Sequence, residues 1–280
     1  MIIFKKVNDL KQQLSAFRKQ GKTFGFVPTM GALHEGHLSL IRLARSKSDL
    51  TICSIFVNPT QFNDPEDFNK YPVTTARDIQ LLESEGVDVL FLPSVEEIYP
   101  SDSQPKLYAL GKVETMLEGA YRPGHFQGVC QVIDRFLTII EPDIIVMGQK
   151  DYQQVMVIKK LLELTGQQVR LITCPTLREF TGLARSSRNT RLTDEQRAQA
   201  SIIYSALLYG KNHLATASPG LLIADITAKI LSNGFYKCDY VAICNADDLS
   251  PIEVYKADQT AIILVAAFIG NVRLIDNILV

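Results

Sequence analysis

Over roughly the first 175 positions, apolar residues come in short unbroken runs separated by stretches where they recur at helical spacing. Runs at 2–4, 24–27, 51–57, 87–92, 144–147 and 169–173 are bounded by turn formers and read as strands. The intervening periodicity predicts helices over 9–19, 38–46, 74–85, 129–140 and 152–164. A strand that is apolar throughout must be covered on both faces, and alternating amphipathic helices supply that cover. The pattern therefore predicts an α/β fold, a doubly wound parallel (Rossmann-like) sheet over 1–175. Beyond 176 the pattern changes. A helix is expected over 192–208, capped by Thr193 or Asp194, and another over 221–231. Strands follow at 240–243 and 261–267, then the stretch Gly270-Asn271-Val272-Arg273-Leu274-Ile275. Helices followed by strands predict a second, smaller α+β C-terminal domain over 176–280.

In doubly wound sheets, ligands bind beyond the carboxyl ends of the strands, near the point where strand order reverses. The residues after each strand are thus the candidates. Pro28 is read as closing the second strand, and TMGALHEGH follows it. Strand, glycine-bearing turn (Gly31, Gly36) and helix start in that order make an anion site, because helix N-termini present backbone N–H groups. Later strands are followed by Asn58-Pro59-Thr60-Gln61-Phe62, by Gly148-Gln149-Lys150-Asp151-Tyr152-Gln153-Gln154, and by CPTLREFTGLARSSRN.

Several familiar signatures fail on context. AFRKQGKT at 16–23 has P-loop spacing but ends a predicted helix instead of opening one. GALHEGHL at 31–38 lies in the right context, yet His37 and Leu38 replace the lysine and hydroxyl residue a P-loop needs. There is no G-x-G-x-x-G to support a dinucleotide. A zinc helix needs histidines at i and i+4; His34 and His37 are at i and i+3 across Gly36, with no third ligand at a familiar spacing.

Two readings of His34 and His37 remain: rings that cap the helix, or imidazoles donating to phosphoryl oxygens as charge develops. Lys150 either lies along a solvated helix face or pairs with a triphosphate. Gln61 and Gln154 suit an uncharged hydroxyl or a carboxylate. Arg185-Ser186-Ser187-Arg188-Asn189 is a surface loop or a phosphate clamp with two guanidiniums and two hydroxyls.

Composition narrows the class. A chain of 280 residues with 46% hydrophobic and 21% charged residues is ordinary for a globular enzyme. A formal net charge of −1 argues against a general nucleic-acid binder. The five cysteines, an odd number without C-x-x-C spacing, read as reduced core residues. MIIFKKVNDL does not read as a signal peptide, and no uncharged apolar run reaches the ~20 residues of a membrane span. A soluble cytoplasmic protein is expected.

The H-x-G-H turn paired with a downstream basic, serine-containing loop resembles the nucleotidyltransferase superfamily that includes class I aminoacyl-tRNA synthetases. More closely, the whole chain is similar to the pantothenate synthetase (pantoate–β-alanine ligase) family. The similarity rests on six ordered motifs: PTMGALHEGH, FVNPTQF, Tyr71-Pro72, LEG-x-YRPGHF-x-GV at 117–129, G-x-KDYQQ and RE-x-x-GLA-x-SSRN-x-x-L.

The resemblance implies ATP-dependent ligation in two steps. Pantoate's carboxylate attacks the α-phosphorus, giving pantoyl adenylate and pyrophosphate; the amine of β-alanine then displaces AMP to give pantothenate. It implies His37, His34 and Lys150 as catalytic residues. ATP would meet Met30, Gly31, Ala32, Leu33, His34, Glu35, Gly36 and His37 on one turn. It would also meet Gly148, Gln149, Lys150, Asp151, Leu177, Arg185, Ser186, Ser187 and Arg188. Gln61, Gln154 and Asn58 would serve pantoate and β-alanine, and Asp78 would ligate Mg²⁺. ATP is a substrate that needs Mg²⁺; the other partners implied are pantoate and β-alanine, with no nucleic acid, no membrane and a homodimer. The smaller domain is expected to act as a lid excluding water from the adenylate. Gln149, Thr181, Arg185 and Gln127 depart from the family pattern, which has glutamate, aspartate, an apolar residue and often arginine there. The alternatives are another nucleotidyltransferase of the superfamily and a nucleotide-binding module without chemistry.

Overall fold

The computed structural model describes residues 1–63, 65–69, 71–101 and 104–280. Six strands form where the unbroken apolar runs predict them: β1 (Ile2–Phe4), β2 (Phe24–Thr29), β3 (Leu50–Ile55), β4 (Val89–Phe91), β5 (Ile144–Gly148) and β6 (Arg170–Cys174). They pair in parallel in the order β1-β4-β3-β2-β5-β6. The chain winds outward from β2 through β3 to β4, then returns to the other side of β2 as β5. Strand order therefore reverses between β2 and β5, and the crevice of a doubly wound sheet lies at their carboxyl ends.

Pro28 does not end β2, which runs on to Thr29. Instead it ends one of its two ladders. Phe24 O accepts from Asp143 N, whereas Thr29 O accepts from Phe56 N, so even-numbered residues of β2 face β5 and odd-numbered ones face β3. Pairing with β5 covers Gly25 and Phe26, while pairing with β3 continues to Pro28 and Thr29. The N–H that proline lacks is thus missing where β2 and β5 have already parted.

The helix Glu35–Arg45 buries Leu38, Leu40, Ile41 and Ala44 in a cluster with Val27, Cys53, Ile144 and Val146. Within the helix His125–Ile140, Phe136 meets Phe26, Phe56 and Phe91 edge-on at ring separations of 5.5, 6.1 and 6.1 Å. Such contacts favour the edge-to-face geometry of aromatic quadrupoles.

Two compact units divide the chain, Met1–Gly148 with Val157–Cys174, and Gln149–Met156 with Pro175–Val280. A single division near 175 would leave 149–156 with the parallel sheet. These residues group with the second unit because Asn277 Nδ2 bonds the carbonyls of Gln149 and Lys150, and Tyr152 Oη donates to Ala246 O.

The second unit contains an antiparallel sheet ordered β7-β8-β9, namely β7 (Lys237–Asn245), β8 (Ala261–Ile269) and β9 (Val272–Leu279). The single helix expected over 192–208 is two, Asp194–Ala200 and Ile202–His213. At the break, the Ser201 hydroxyl donates to Ala198 O at 2.7 Å, a local bond that competes with the helical ladder. Thr193 caps the first as expected: its Oγ1 accepts from Gln196 N, and Gln196 Oε1 accepts from Thr193 N. With Pro219–Leu231, these helices bury Ile203, Leu207, Leu222 and Ile226 in one core with Ile263 and Val265 of β8. Among the described residues no helix is long and apolar enough to cross a membrane.

Candidate active site

Beyond β2 the backbone turns sharply, with Gly31 at φ +81° and Ala32 at φ +50°. Glycine tolerates that conformation; alanine in it is strained and must be held. The holder is Asp78, 1% exposed, whose carboxylate accepts from Ala32 N at 2.9 Å, Leu33 N at 2.8 Å and the Thr74 hydroxyl at 3.0 Å. Space is equally tight, since a Cβ on Gly31 would lie 3.1 Å from Asp78 Oδ2 and from Ile55 Cγ2. The expectation that Asp78 ligates Mg²⁺ does not fit these surroundings. Both its oxygens are committed to N–H and O–H donors in a buried site, so Asp78 shapes the turn. Among the described residues no group of three or more His, Cys, Asp or Glu side chains is placed to hold a metal. Mg²⁺ keeps several waters and binds through a substrate's phosphates with one or two carboxylates, which needs no such cage.

The turn ends in a cap made of two histidines. His34 is the N-cap of the helix Glu35–Arg45, and its Nδ1 accepts from Gly36 N at 3.1 Å. His37 Nδ1 accepts from His34 N at 3.3 Å, closing a reciprocal capping box. The rings lie against each other with centroids 4.1 Å apart. An Nδ1 that accepts a backbone N–H carries no proton, so each neutral ring bears its proton on Nε2. Capping and donation are therefore not alternatives. The backbone N–H groups of His34 and Gly36 are taken by the rings, and the ring protons sit on Nε2.

The turn after β3 is held as firmly. Asn58, 1% exposed, donates from Nδ2 to Gln61 Oε1 and to Gly128 O, both at 3.1 Å. Its Oδ1 accepts from Tyr99 Oη at 2.9 Å and Thr60 Oγ1 at 3.0 Å. Asn58 thus braces the turn and fixes the Gln61 side chain. Gln61 Nε2 contacts Met30 Sδ at 3.1 Å, which brings the two turns together.

His125, in the YRPGHF stretch, had no assigned role in the sequence reading. It is 6% exposed, and its Nδ1 lies 2.7 Å from Gln61 O while Nε2 lies 3.1 Å from Arg122 NH1. A carbonyl only accepts and a guanidinium only donates, so this ring is neutral with its proton on Nδ1, the tautomer opposite to His34 and His37. Gly128 lets the helix reach the turn: a Cβ there would stand 2.3 Å from Thr60 O and 2.8 Å from Gln61 Cα. Gln127 pairs with Tyr108 through both backbone groups, at 3.0 and 2.9 Å.

The remaining candidates, Gln149, Lys150, Asp151, Gln154, Leu177 and Arg185–Arg188, belong to the second unit. A recess in that unit is lined by Lys150, Ser186, Arg188, Asn189, Arg273 and Asp276 among others. The Lys150 side chain is 16% exposed, with Nζ 3.7 Å from Asp151 Oδ1. Residues 178–184 double back as a hairpin: Arg178 bridges Ala184, and Gly182 at φ +91° packs where a Cβ would meet Tyr204 Cδ1 at 2.5 Å. Thr181 is exposed at its tip.

Ser186 Oγ accepts from Arg188 N at 3.2 Å and caps the short turn Ser187–Arg191. Glu179 receives Arg197 through Nε at 2.9 Å and NH2 at 2.6 Å, and also Asn189 Nδ2. Hydrogen bonds from Arg197 hold its carboxyl below the usual carboxylate range. Two buried polar atoms of this loop have no hydrogen-bond partner among the described residues, Asn189 Oδ1 and Arg185 Nε. Orphaned groups of that kind are costly unless a ligand or water completes them.

All five cysteines are free, and burial pushes Cys53 and Cys130 up to about 12 and Cys238 and Cys244 up to about 11.

These features define the class: a doubly wound α/β protein with a histidine-capped helix start at its switch point. The family model described as pantoate-beta-alanine ligase matches residues 2–279. A pantothenate synthetase from Caldicellulosiruptor saccharolyticus is 42% identical over 282 residues, covering 100% of this chain and 99% of the relative. The crystal structure of pantothenate synthetase from Thermus thermophilus superposes with TM-score 0.91 at 38% identity, covering 99% of each chain. The pantoate-beta-alanine ligase from Francisella tularensis, complexed with beta-gamma ATP and beta-alanine, superposes with TM-score 0.83 at 40% identity, covering 100% of this chain and 97% of that one. The chain belongs to the pantoate–β-alanine ligase family.

Proposed function

We propose that the protein joins pantoate to β-alanine at the expense of ATP, through a pantoyl-adenylate intermediate. The observation that carries this reading is the reciprocal cap at the switch point, in which His34 and His37 both accept through Nδ1 and so bear their protons on Nε2. A pentavalent α-phosphorus gathers negative charge on its equatorial oxygens, and preorganised donors stabilise it more than the ground state.

In the first step, a carboxylate oxygen of pantoate bonds to the α-phosphorus while the bond to the β-phosphate bridging oxygen breaks, releasing pyrophosphate. His37 Nε2–H, with His34, bonds the α-phosphoryl oxygens. Lys150 and Arg188 neutralise the phosphates, with Ser186 and Ser187 donating hydroxyls. Gly148, Gln149, Asp151, Leu177 and Arg185 complete the nucleotide contacts together with Met30–His37. Gln61 and Gln154 hold pantoate, and Asn58 fixes Gln61. In the second step the amine of β-alanine bonds to the acyl carbon, the acyl–oxygen bond breaks, and AMP leaves. Mg²⁺ would accompany the triphosphate and spread its charge. A cytoplasmic homodimer belongs to the same reading.

Incubation with ATP, pantoate, β-alanine and Mg²⁺ is expected to yield AMP and pantothenate in equal amounts. ADP in place of AMP, or an adenylyl group retained on the product, would overturn the reading.

A further inference from the structure

Asn277 lies on β9, far in sequence from every candidate residue, and is 1% exposed. Its Nδ2 donates to two successive carbonyls, Gln149 O and Lys150 O, each at 2.9 Å. Carbonyls only accept, so this pair fixes which end of the Asn277 amide is nitrogen. Oδ1 must then face Gln149, whose Nε2 donates to it at 3.2 Å. All three amide functions of the side chain are used on the segment that carries Lys150. An ionised glutamate at 149 would set acceptor against acceptor, so Gln149 and Asn277 form a matched pair.

The main chain at the same place grips the other cationic segment. Arg178 NH2 donates to Asn277 O at 3.1 Å, and Arg178 also clamps Asp276 through NH1 at 2.6 Å and NH2 at 3.1 Å. It further donates to Gly182 O at 3.1 Å and stacks 3.9 Å over the Tyr204 ring. Arg178 bridges Ala184, one residue before Arg185, so this anchor sets the base of the loop that ends in Arg188. Asp276-Asn277 therefore ties both basic segments to one rigid strand.

We infer that Asn277 is a positioning residue for Lys150: it fixes the Lys150 backbone, through paired bonds to Gln149 O and Lys150 O, in register with the Arg178–Arg188 loop. Side chains that act in a transition state must be held within a fraction of an ångström, which their backbone anchor decides. This rests on the reading of Lys150 as a phosphate ligand given above.

The test is a double-mutant cycle in the intact protein, measuring kcat and the KM values for ATP, pantoate and β-alanine, with thermal melts alongside. Lys150→Ala is expected to lower kcat roughly 10²-fold, the scale for one transition-state contact. Asn277→Ala is expected to lower kcat about tenfold with the pantoate KM within about twofold. The double variant should fall no further than about threefold below Lys150→Ala alone, because a mispositioned lysine and an absent one lose the same contact. Multiplying effects would overturn the inference while leaving Lys150 as a ligand. A Lys150→Ala rate within about threefold of the parent would overturn the reading of Lys150 itself, and this inference with it. If Asn277→Ala loses its cooperative melt, Asn277→Ser, which keeps a small donor, replaces it in the cycle; loss of folding in both would make Asn277 a folding residue and overturn the inference.

Discussion

Replacing His37 by alanine is expected to lower kcat by roughly 10²–10³, the cost of removing one preorganised transition-state donor. Alanine also removes the acceptor for His34 N, and losing a cap costs about 0.5–2 kcal/mol of stability. Two isosteres separate the effects. His37→Asn keeps an acceptor at the Nδ1 position but has nothing at Nε2, so it should melt near the parent temperature and still be slow. His37→Gln can place an amide N–H near the Nε2 position, so it should recover part of the rate while losing the cap. Stopped-flow measurement of pyrophosphate release, with melts on each variant, checks this. A His37→Asn enzyme within tenfold of the parent would reject the role given to Nε2–H.

Gly128→Ala should be strongly damaging to the turn that carries Gln61. The new Cβ would meet Thr60 O at 2.3 Å and Gln61 Cα at 2.8 Å, both backbone of the same turn. Neither can swing aside as a side chain could, so the helix or the turn must move. Overpacking of this kind costs roughly 1–3 kcal/mol or more. Displacement also breaks the bond from Asn58 Nδ2 to Gly128 O, and with it the support of Gln61. The pantoate KM is expected to rise at least about tenfold, against a smaller change for ATP. An unchanged pantoate KM in a variant of lowered stability would show that Gln61 does not depend on this packing.

The parallel strands were legible because continuous burial on both faces leaves an unbroken apolar run, as at 24–27 and 144–147. The helix Glu35–Arg45 starts three residues before the apolar periodicity does, since its first turn is built from His34, Glu35, Gly36 and His37. Capping by these histidines was one of the two readings of the sequence; the reciprocal box through both Nδ1 atoms was not foreseen, because histidine is not a residue that commonly signals an N-cap. β9 was missed for a related reason. Its register places Asp276 and Asn277 among buried neighbours, and two consecutive buried polar residues break the alternation that marks a strand.

Pro28 misled in the opposite direction, because proline punctuates a strand only where its N–H would be needed. Candidate residues at the strand ends could be picked from type and place. Their supports could not be: Asp78, Tyr99, His125 and Asn277 act through contacts 41 to 128 residues apart along the chain. No local pattern encodes pairings at such separations.

The central claim is that the carboxylate of pantoate attacks the α-phosphorus of ATP. Pantoate labelled with ¹⁸O in both carboxylate oxygens tests it directly, with AMP and pantothenate analysed by mass spectrometry after one turnover. The account predicts one ¹⁸O in the phosphate of AMP and one in the amide carbonyl of pantothenate. Unlabelled AMP would contradict it.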